Sequence, residues 1–190
     1  MSSIVDKVFD SMRERILQGE FGPNDVFVEL DIADQYGVSR GTAREALQKL
    51  CEAKFLIKMP RKGYFMYTFS PKEMADVDYV RCALETAAIK LTIANATDDD
   101  IKGLYHILQG PKNEKLPENT VNLQFHLALA RLSGNGILCD SLRTLLDIST
   151  RSGIDLPADA SEGKHKDIIE AVLERDVEKA CRLITEDINS

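Results

Sequence analysis

The chain has 190 residues, 44% of them hydrophobic, and a net charge of -7, enough for one large domain or two small ones, each with its own core. No apolar run approaches the ~20 residues that span a bilayer, and the N-terminus lacks the apolar stretch of a signal peptide, so a cytoplasmic protein with no membrane partner is expected. Four cysteines, Cys51, Cys82, Cys139 and Cys181, stand far apart with no C-x-x-C pair, which suggests neither a zinc knuckle nor a disulfide framework and leaves buried, reduced thiols as the expectation.

From Ile4 to Leu17 the apolar residues Ile4, Val5, Val8, Phe9, Met12, Ile16 and Leu17 recur at steps of three and four, the pattern of an amphipathic helix that Gly19 can end. Gly22-Pro23-Asn24-Asp25 reads as a turn, Val26-Phe27-Val28 as a short extended piece, and about Glu29 to Tyr36 as a second helix with Ile32, Ala33 and Tyr36 toward the first. Gly37 can close that helix and Ser39 can cap the next, which runs to about Ala53 with Ala43, Ala46, Leu47 and Leu50 on its buried face. Arg40, Gly41, Thr42, Arg44 and Glu45 are then left at the exposed N-terminal end. A helix that follows another across a tight Gly-containing turn, and starts with Arg and Thr, has the form of a recognition helix. Arg44 or Arg40 can fork onto guanine, and Thr42 can meet a base edge or a phosphate. Taken alone, such an Arg pair is usually a solvated face, and it is the neighbouring sequence that reverses this reading.

Phe55 to Met59 and Tyr64 to Tyr67 are β-prone runs joined by Pro60-Arg61-Lys62-Gly63, a turn with two cations at its tip. This is a wing, with Gly63 expected to let the backbone approach DNA. The charge follows the same division. Residues 1–37 carry 3 basic and 8 acidic side chains (net -5), residues 38–69 carry 7 and 2 (net +5), and residues 70–190 carry 14 and 21 (net -7). Positive charge is thus confined to the segment that would touch phosphate, which matters more for affinity than the total.

Thr68-Phe69-Ser70 marks a boundary, giving domains over 1–69 and 70–190. Ser70-Pro71-Lys72-Glu73 combines a capping Ser, Pro at the first helical position and Glu three residues after the cap. Val77, Val80, Leu84, Ala87, Ala88 and Leu91 stripe a long helix to about Asn95, and Thr97 caps another that carries Ile101, Leu104 and Leu108. Gly110 to Pro117 is a polar loop; further helices are expected near 118–132, 136–150, 158–174 and 176–188, with breaks at Gly134, Gly153 to Pro157 and Asp176. The fold class is mainly α: a winged helix-turn-helix followed by an all-α bundle.

Arg15-x3-Gly19, Pro23, Glu29, Ile32-Ala33, Gly37-Val38-Ser39-Arg40, Ala43-Arg44-Glu45-Ala46-Leu47, Leu50 and Gly63 resemble the DNA-binding domain of the GntR family of bacterial transcription regulators over residues 4–67. The chain departs from that pattern at Gly41, where Thr is usual, and at Lys54, where Gly is usual. The resemblance implies DNA contacts from Ser39, Arg40, Thr42 and Arg44, joined by Arg61, Lys62 and Gly63 of the wing. Arg81-x2-Leu84-Glu85, Ala96-Thr97, Phe125-His126-x-Ala128-Leu129, Ser133-Gly134-Asn135, and His165-x2-Ile168-x2-Ala171 with Asp176 and Ala180 resemble the FCD type of ligand-sensing domain of FadR-like regulators, over about 71–188. That implies a helical bundle which dimerises and commonly holds a metal ion at the floor of a small-molecule cavity.

Asn122 and His126 are four apart and share a helix face, and His165 and Asp187 lie on later helices that can close round the same point. The family's usual set is an Asp and three His; here Asn122 replaces the Asp and Asp187 replaces the last His. His126, His165 and Asp187 then form a two-His, one-carboxylate set suited to zinc, nickel, iron or manganese, with Asn122 a poor ligand. Binding by unperturbed imidazoles weakens as pH falls through ~6.5. The alternative is that both histidines are hydrogen-bonded core residues and Asp187 is solvated. Arg81 can pair with an effector carboxylate or with Glu85 four residues on, and His106 is a surface residue. The resulting expectation is a homodimeric regulator, not an enzyme, that binds operator DNA under control of a small-molecule effector, which would be a carboxylate. Its alternatives are a regulator with a metal-free pocket and a metalloenzyme with a DNA-binding appendage.

Overall fold

In the computed structural model, which describes residues 3–109, 118–151 and 158–189, Ser3 opens the first helix, α1 (Ile4–Leu17), through a reciprocal capping box with Asp6. Val5, Val8, Met12 and Ile16 of α1 face inward and pack with Ile32 and Ala33 of α2 (Glu29–Tyr36) and with Ala43, Ala46, Leu47 and Leu50 of α3 (Arg40–Glu52). Tyr36 lies only partly buried against this core, its hydroxyl 3.2 Å from Ser11 Oγ on α1. Phe27, Phe55, Leu56 and Tyr64 close the core from the sheet side.

The sheet differs from the two-stranded wing expected. Its order is β1-β3-β2, all antiparallel, with β1 (Val26–Phe27) paired to the outer edge of β3 (Gly63–Met66) and β2 (Leu56–Met59) on the other side. Val26 opposes Phe65 and Phe27 opposes Tyr64. The extended piece before α2 thus covers backbone groups that a bare hairpin would leave as an open edge.

This pairing also accounts for Gly63. At φ +109°, a Cβ there would stand 2.9 Å from the Phe27 carbonyl oxygen and 3.0 Å from Val26 Cγ1, so the close backbone is that of β1, and the glycine is explained without DNA. Gly63→Ala should therefore destabilise the protein by ~1–3 kcal/mol through clash and backbone strain. Urea unfolding with an unchanged midpoint would show that the β1–β3 contact yields freely, contrary to this account.

The chain divides into two compact units, Met1–Phe69 and Ser70–Ser190. The second opens with α4 (Pro71–Asn95), where Ser70 and Glu73 form a capping box and Pro71 takes the first position. Thr97 caps as expected, but the helix it starts is two short ones, α5 (Asp98–Lys102) and α6 (Leu104–Leu108), parted at Gly103, a residue of low helix propensity. Then come α7 (Glu118–Leu132), α8 (Gly136–Arg151), α9 (Ala158–Leu173) and α10 (Val177–Ile188), the last capped by Asp176. The expected loop over 110–117 and the break over 153–157 lie outside the described residues.

Two apolar clusters fill this unit. Ile89, Phe125, Ile168, Ile169, Val172 and Ile184 belong to one, and Ala88, Leu127, Ala130, Leu138, Leu142 and Leu146 form the other. Of the apolar stripe expected on α4, Ala88 is buried and Leu84, Ala87 and Leu91 pack against the second cluster, but Val80 is 44% exposed, and the buried line also holds Arg81, Glu85, Ile89 and Thr92. Polar side chains tolerate such a position only when partnered. Arg81 and Glu85 partner each other, and Thr92 Oγ1 donates to the Leu129 carbonyl at 3.1 Å. The four cysteines are unpaired and only partly buried, short of the full burial expected. Among the described residues no helix is long and apolar enough to cross a membrane.

Candidate functional site

Gly37, at φ +62°, closes α2, and Ser39 then starts α3 by accepting the Thr42 N–H at 3.1 Å, with the two hydroxyl oxygens 2.9 Å apart. Arg40, Gly41 and Arg44 are exposed at this end. Arg44 is not a free side chain. Its Nε and Nη2 donate to the two carboxylate oxygens of Glu29 at 2.9 and 2.8 Å. The Tyr64 hydroxyl donates to Glu29 at 3.2 Å, and Arg40 and Lys58 each stand 4.0 Å away. The Arg44 hydrogen bonds hold the Glu29 carboxyl below its ordinary range. One carboxylate, itself mostly buried, thus gathers three cations from α3 and β2. Sequence reasoning placed Glu29 at a helix start and in the family pattern but gave it no partner, because its partners lie 15 and 35 residues away.

At the wing tip, Lys62 N–H donates to the Met59 carbonyl at 3.1 Å, with Pro60 second in the turn and Arg61 third at φ +64°. That is the pattern of a type II turn, whose third position favours Gly. Here it carries a guanidinium. Arg61 and Lys62 are both exposed. Lys54 also has positive φ, +55°, where the family pattern has Gly, and its ammonium lies 5.6 Å from the Tyr67 ring centroid and 5.8 Å from that of Phe69.

In the second unit His126 of α7, His165 of α9 and Asp187 of α10 converge, with one ligand atom from each within 4.8 Å of the others and all three residues buried. Asp187 is not solvated. His126 Nε2 stands 3.1 Å from Asp187 Oδ2 and 3.1 Å from Asn122 Oδ1. His165 Nε2 is 3.6 Å from the same Asp187 oxygen, its ring stacks on Phe125 at 4.0 Å, and neither of its ring nitrogens has a hydrogen-bond partner.

The residue that sequence reasoning undervalued is Glu85. One carboxylate oxygen meets His126 Nδ1 at 2.5 Å, and the other accepts Nε–H and Nη2–H of Arg81, both at 3.1 Å. Arg81 is therefore placed on Glu85. The signal available was the i,i+4 pair itself, set on a face otherwise made of Ala88, Ile89 and Thr92. Burial opposes the charge on His126, but the Glu85 charge and the hydrogen bonds that the ring donates to Asp187 and Glu85 outweigh it and push the imidazole up to about 9. Burial, joined by the nearby His126 charge, depresses His165 against the opposing pull of Asp187 and Glu85, while Asp187 is held well below the usual carboxylate range by both histidines and Glu85 is lowered by His126 and Arg81, though both carboxylates are buried. His106 is exposed and outside this cluster.

Residues 4–66 match the family described as bacterial regulatory proteins, gntR family, and residues 76–190 match the FCD domain. The Nta operon transcriptional regulator of Aminobacter aminovorans is 32% identical over 129 residues, 66% of this chain, a stretch that spans only 61% of that regulator's own length. The HTH-type transcriptional repressor GlaR of Escherichia coli is 24% identical over 192 residues, covering 91% of this chain and 87% of the repressor. Among solved structures, Escherichia coli McbR/YncC superposes with TM-score 0.81 at 20% identity over 100% of this chain and 95% of its own, which shows a shared fold. A putative GntR regulator from Rhodococcus sp. RHA1 gives 0.84 at 20% identity, covering 99% and 95%. With a helix-turn-helix, a three-stranded wing and a helical second unit each matched by its own family, the chain belongs to the gntR family of bacterial transcriptional regulators, of the type that carries an FCD domain.

Proposed function

We propose that the first unit, residues 1–69, reads operator DNA through Ser39, Arg40, Thr42 and Arg44 at the start of α3, with Arg61, Lys62 and Gly63 of the wing against the backbone. The second, residues 70–190, dimerises and binds a small anionic effector, a carboxylate, beside one divalent metal held by His126, His165 and Asp187. A two-fold dimer places recognition helices in successive major grooves of a near-palindromic site. The observation that carries the metal reading is His165, a fully buried imidazole with neither nitrogen hydrogen-bonded, facing Asp187 and His126. Leaving such a group unpaired is costly, and a cation between the three residues removes the cost. The cation supplies positive charge and open positions to an anionic ligand. Glu85 orients His126 from behind, so that Nε2 faces the centre and Nδ1 faces the carboxylate. Asn122 contributes at most its carbonyl oxygen. An effector contact from Arg81 requires release of Glu85, so Arg81 serves first to neutralise that carboxylate.

A second reading, a metal-free pocket, draws on His126, whose two nitrogens already have partners in Glu85 and in Asp187 with Asn122. Elemental analysis of the purified protein, followed by chelation and metal titration, separates the two. Uptake of one divalent ion per subunit supports the first, and no uptake with any of zinc, nickel, iron or manganese leaves the second.

For the DNA-binding unit, Arg44→Ala is expected to weaken binding to a selected operator by ~1–3 kcal/mol and to relax preference at one base pair per half-site. Lys62→Ala should weaken all sequences alike and flatten the salt dependence by about one charge. Titrations at two salt concentrations check both, and unchanged affinity in the two variants removes this face as the binding surface.

A further inference from the structure

Glu29 is a mostly buried carboxylate that gathers three cations at the start of α3 and on β2. It accepts both Nε–H and Nη2–H of Arg44, takes the Tyr64 hydroxyl of β3, and has Arg40 and Lys58 at 4.0 Å. Lys58 in turn lies over the Tyr64 ring, 5.0 Å from its centroid. The Glu29 side chain is 15% exposed, against 64% for Arg40 and 51% for Arg44. A carboxylate at a DNA-facing surface repels phosphate, so its presence requires a function other than affinity.

The geometry supplies one. A guanidinium is planar and rigid, and presents two separate edges for paired hydrogen bonds. Glu29 occupies the Nε–Nη2 edge of Arg44, and the terminal Nη1–Nη2 edge is directed away from it. That terminal edge matches guanine O6 and N7 in the major groove. Held by two short bonds from a mostly buried carboxylate, Arg44 loses the rotamer freedom that it would otherwise give up on meeting a base. Through Tyr64 and Lys58 the same carboxylate ties the sheet to the start of α3.

We infer that Glu29 is the positioning residue for base reading: it aims the terminal edge of Arg44 and trades nonspecific attraction to phosphate for sequence discrimination. This rests on the proposal that α3 reads DNA, and the two can fail separately. A duplex is first selected by the wild-type protein from a random-sequence pool; its affinity and that of a scrambled duplex of equal length are then measured at two salt concentrations, with thermal unfolding alongside. Failure of the wild type to select any sequence removes the DNA reading itself.

Given a selected duplex, Glu29→Gln should bind it about tenfold more weakly, and the scrambled duplex about threefold more tightly with a steeper salt dependence, because a bidentate contact is loosened while one negative charge is lost. Glu29→Asp keeps the charge and withdraws the carboxylate, so only the selected duplex should lose affinity. Arg44→Lys, which keeps the cation but cannot use two edges, should behave like Glu29→Asp. A purely structural role would lower both affinities together with the unfolding temperature, and a purely electrostatic one would raise both in Glu29→Gln; either result overturns the inference.

Discussion

Glu85→Ala is expected to destabilise the protein by about 3–5 kcal/mol, the range for removing one partner of a buried ion pair. The Arg81 and Glu85 side chains are only 6% and 2% exposed, and the His126 side chain is 0% exposed. One carboxylate serves both cations, so its loss leaves a buried guanidinium and a buried imidazole without their shared anion. Glu85→Gln keeps the volume and an acceptor for Arg81, and should cost less. Its amide cannot act as the charged acceptor for His126 Nδ1–H, however, so metal affinity should still fall roughly 10- to 100-fold, as it does when the partner behind a ligating His is changed. Urea denaturation of both variants at pH 7, with metal titration of Glu85→Gln, makes the check. A loss under about 1 kcal/mol in Glu85→Ala would mean that Arg81 and His126 reach other partners or water, against the burial described.

What sequence reasoning reached, and what it missed, divides by range. The caps at Ser39, Ser70 and Thr97 each bond a group three residues away, and such local chemistry is written in adjacent residues. The apolar steps of α1 and α3 likewise give their buried faces directly. Pairing of Val26 with Phe65 joins residues far apart in the first unit, and nothing in Val26-Phe27 distinguishes a third strand from an extended linker. Asn122 and His126 could be put on one face by spacing, but the convergence of His165 and Asp187 on them came from the family pattern alone. The contact of Glu85 with His126 was hidden for a different reason. A search for apolar periodicity passes over a carboxylate, although burial of an Arg-Glu-His line is permitted once each member satisfies the next. Lys54 and Arg61 adopt positive φ where glycine is the usual choice, so composition gives no warning of either.

The metal affinity is expected to follow His126 rather than an ordinary imidazole. In the metal-free protein Glu85 and Asp187 hold the His126 imidazole up to about 9, so at pH 7 it is charged, donating Nδ1–H to Glu85 and Nε2–H toward Asp187. A metal at Nε2 must displace that proton, which costs about tenfold in apparent affinity for each pH unit below 9. The fall therefore begins near pH 9 rather than near 6.5, and His165, whose pKa is lowered by burial, adds nothing until the solution is more acidic than an unperturbed histidine requires. Stability carries the opposite sign. A group whose folded pKa is raised stabilises fully below its unfolded value, about 6.5, and loses that contribution as pH rises through about 9. Asp187 and Glu85, held low, stabilise above their ordinary values and lose their contribution only on acidification. Chelated protein should thus lose thermal stability between pH 6.5 and 9, metal-saturated protein should not, and the gap between the two curves should widen with pH. Asp187→Ala should abolish uptake by removing the only carboxylate of the three. Asn122→Asp, whose side-chain oxygen already stands 3.1 Å from His126 Nε2, should strengthen uptake, most clearly near pH 9, because below that pH the added carboxylate also favours the competing proton. A metal-buffered titration of all three proteins from pH 6 to 9.5 reads these effects together. An affinity that levels off above pH 7, or a gap that stays constant across the range, would mean that the His126 proton is not what the metal displaces.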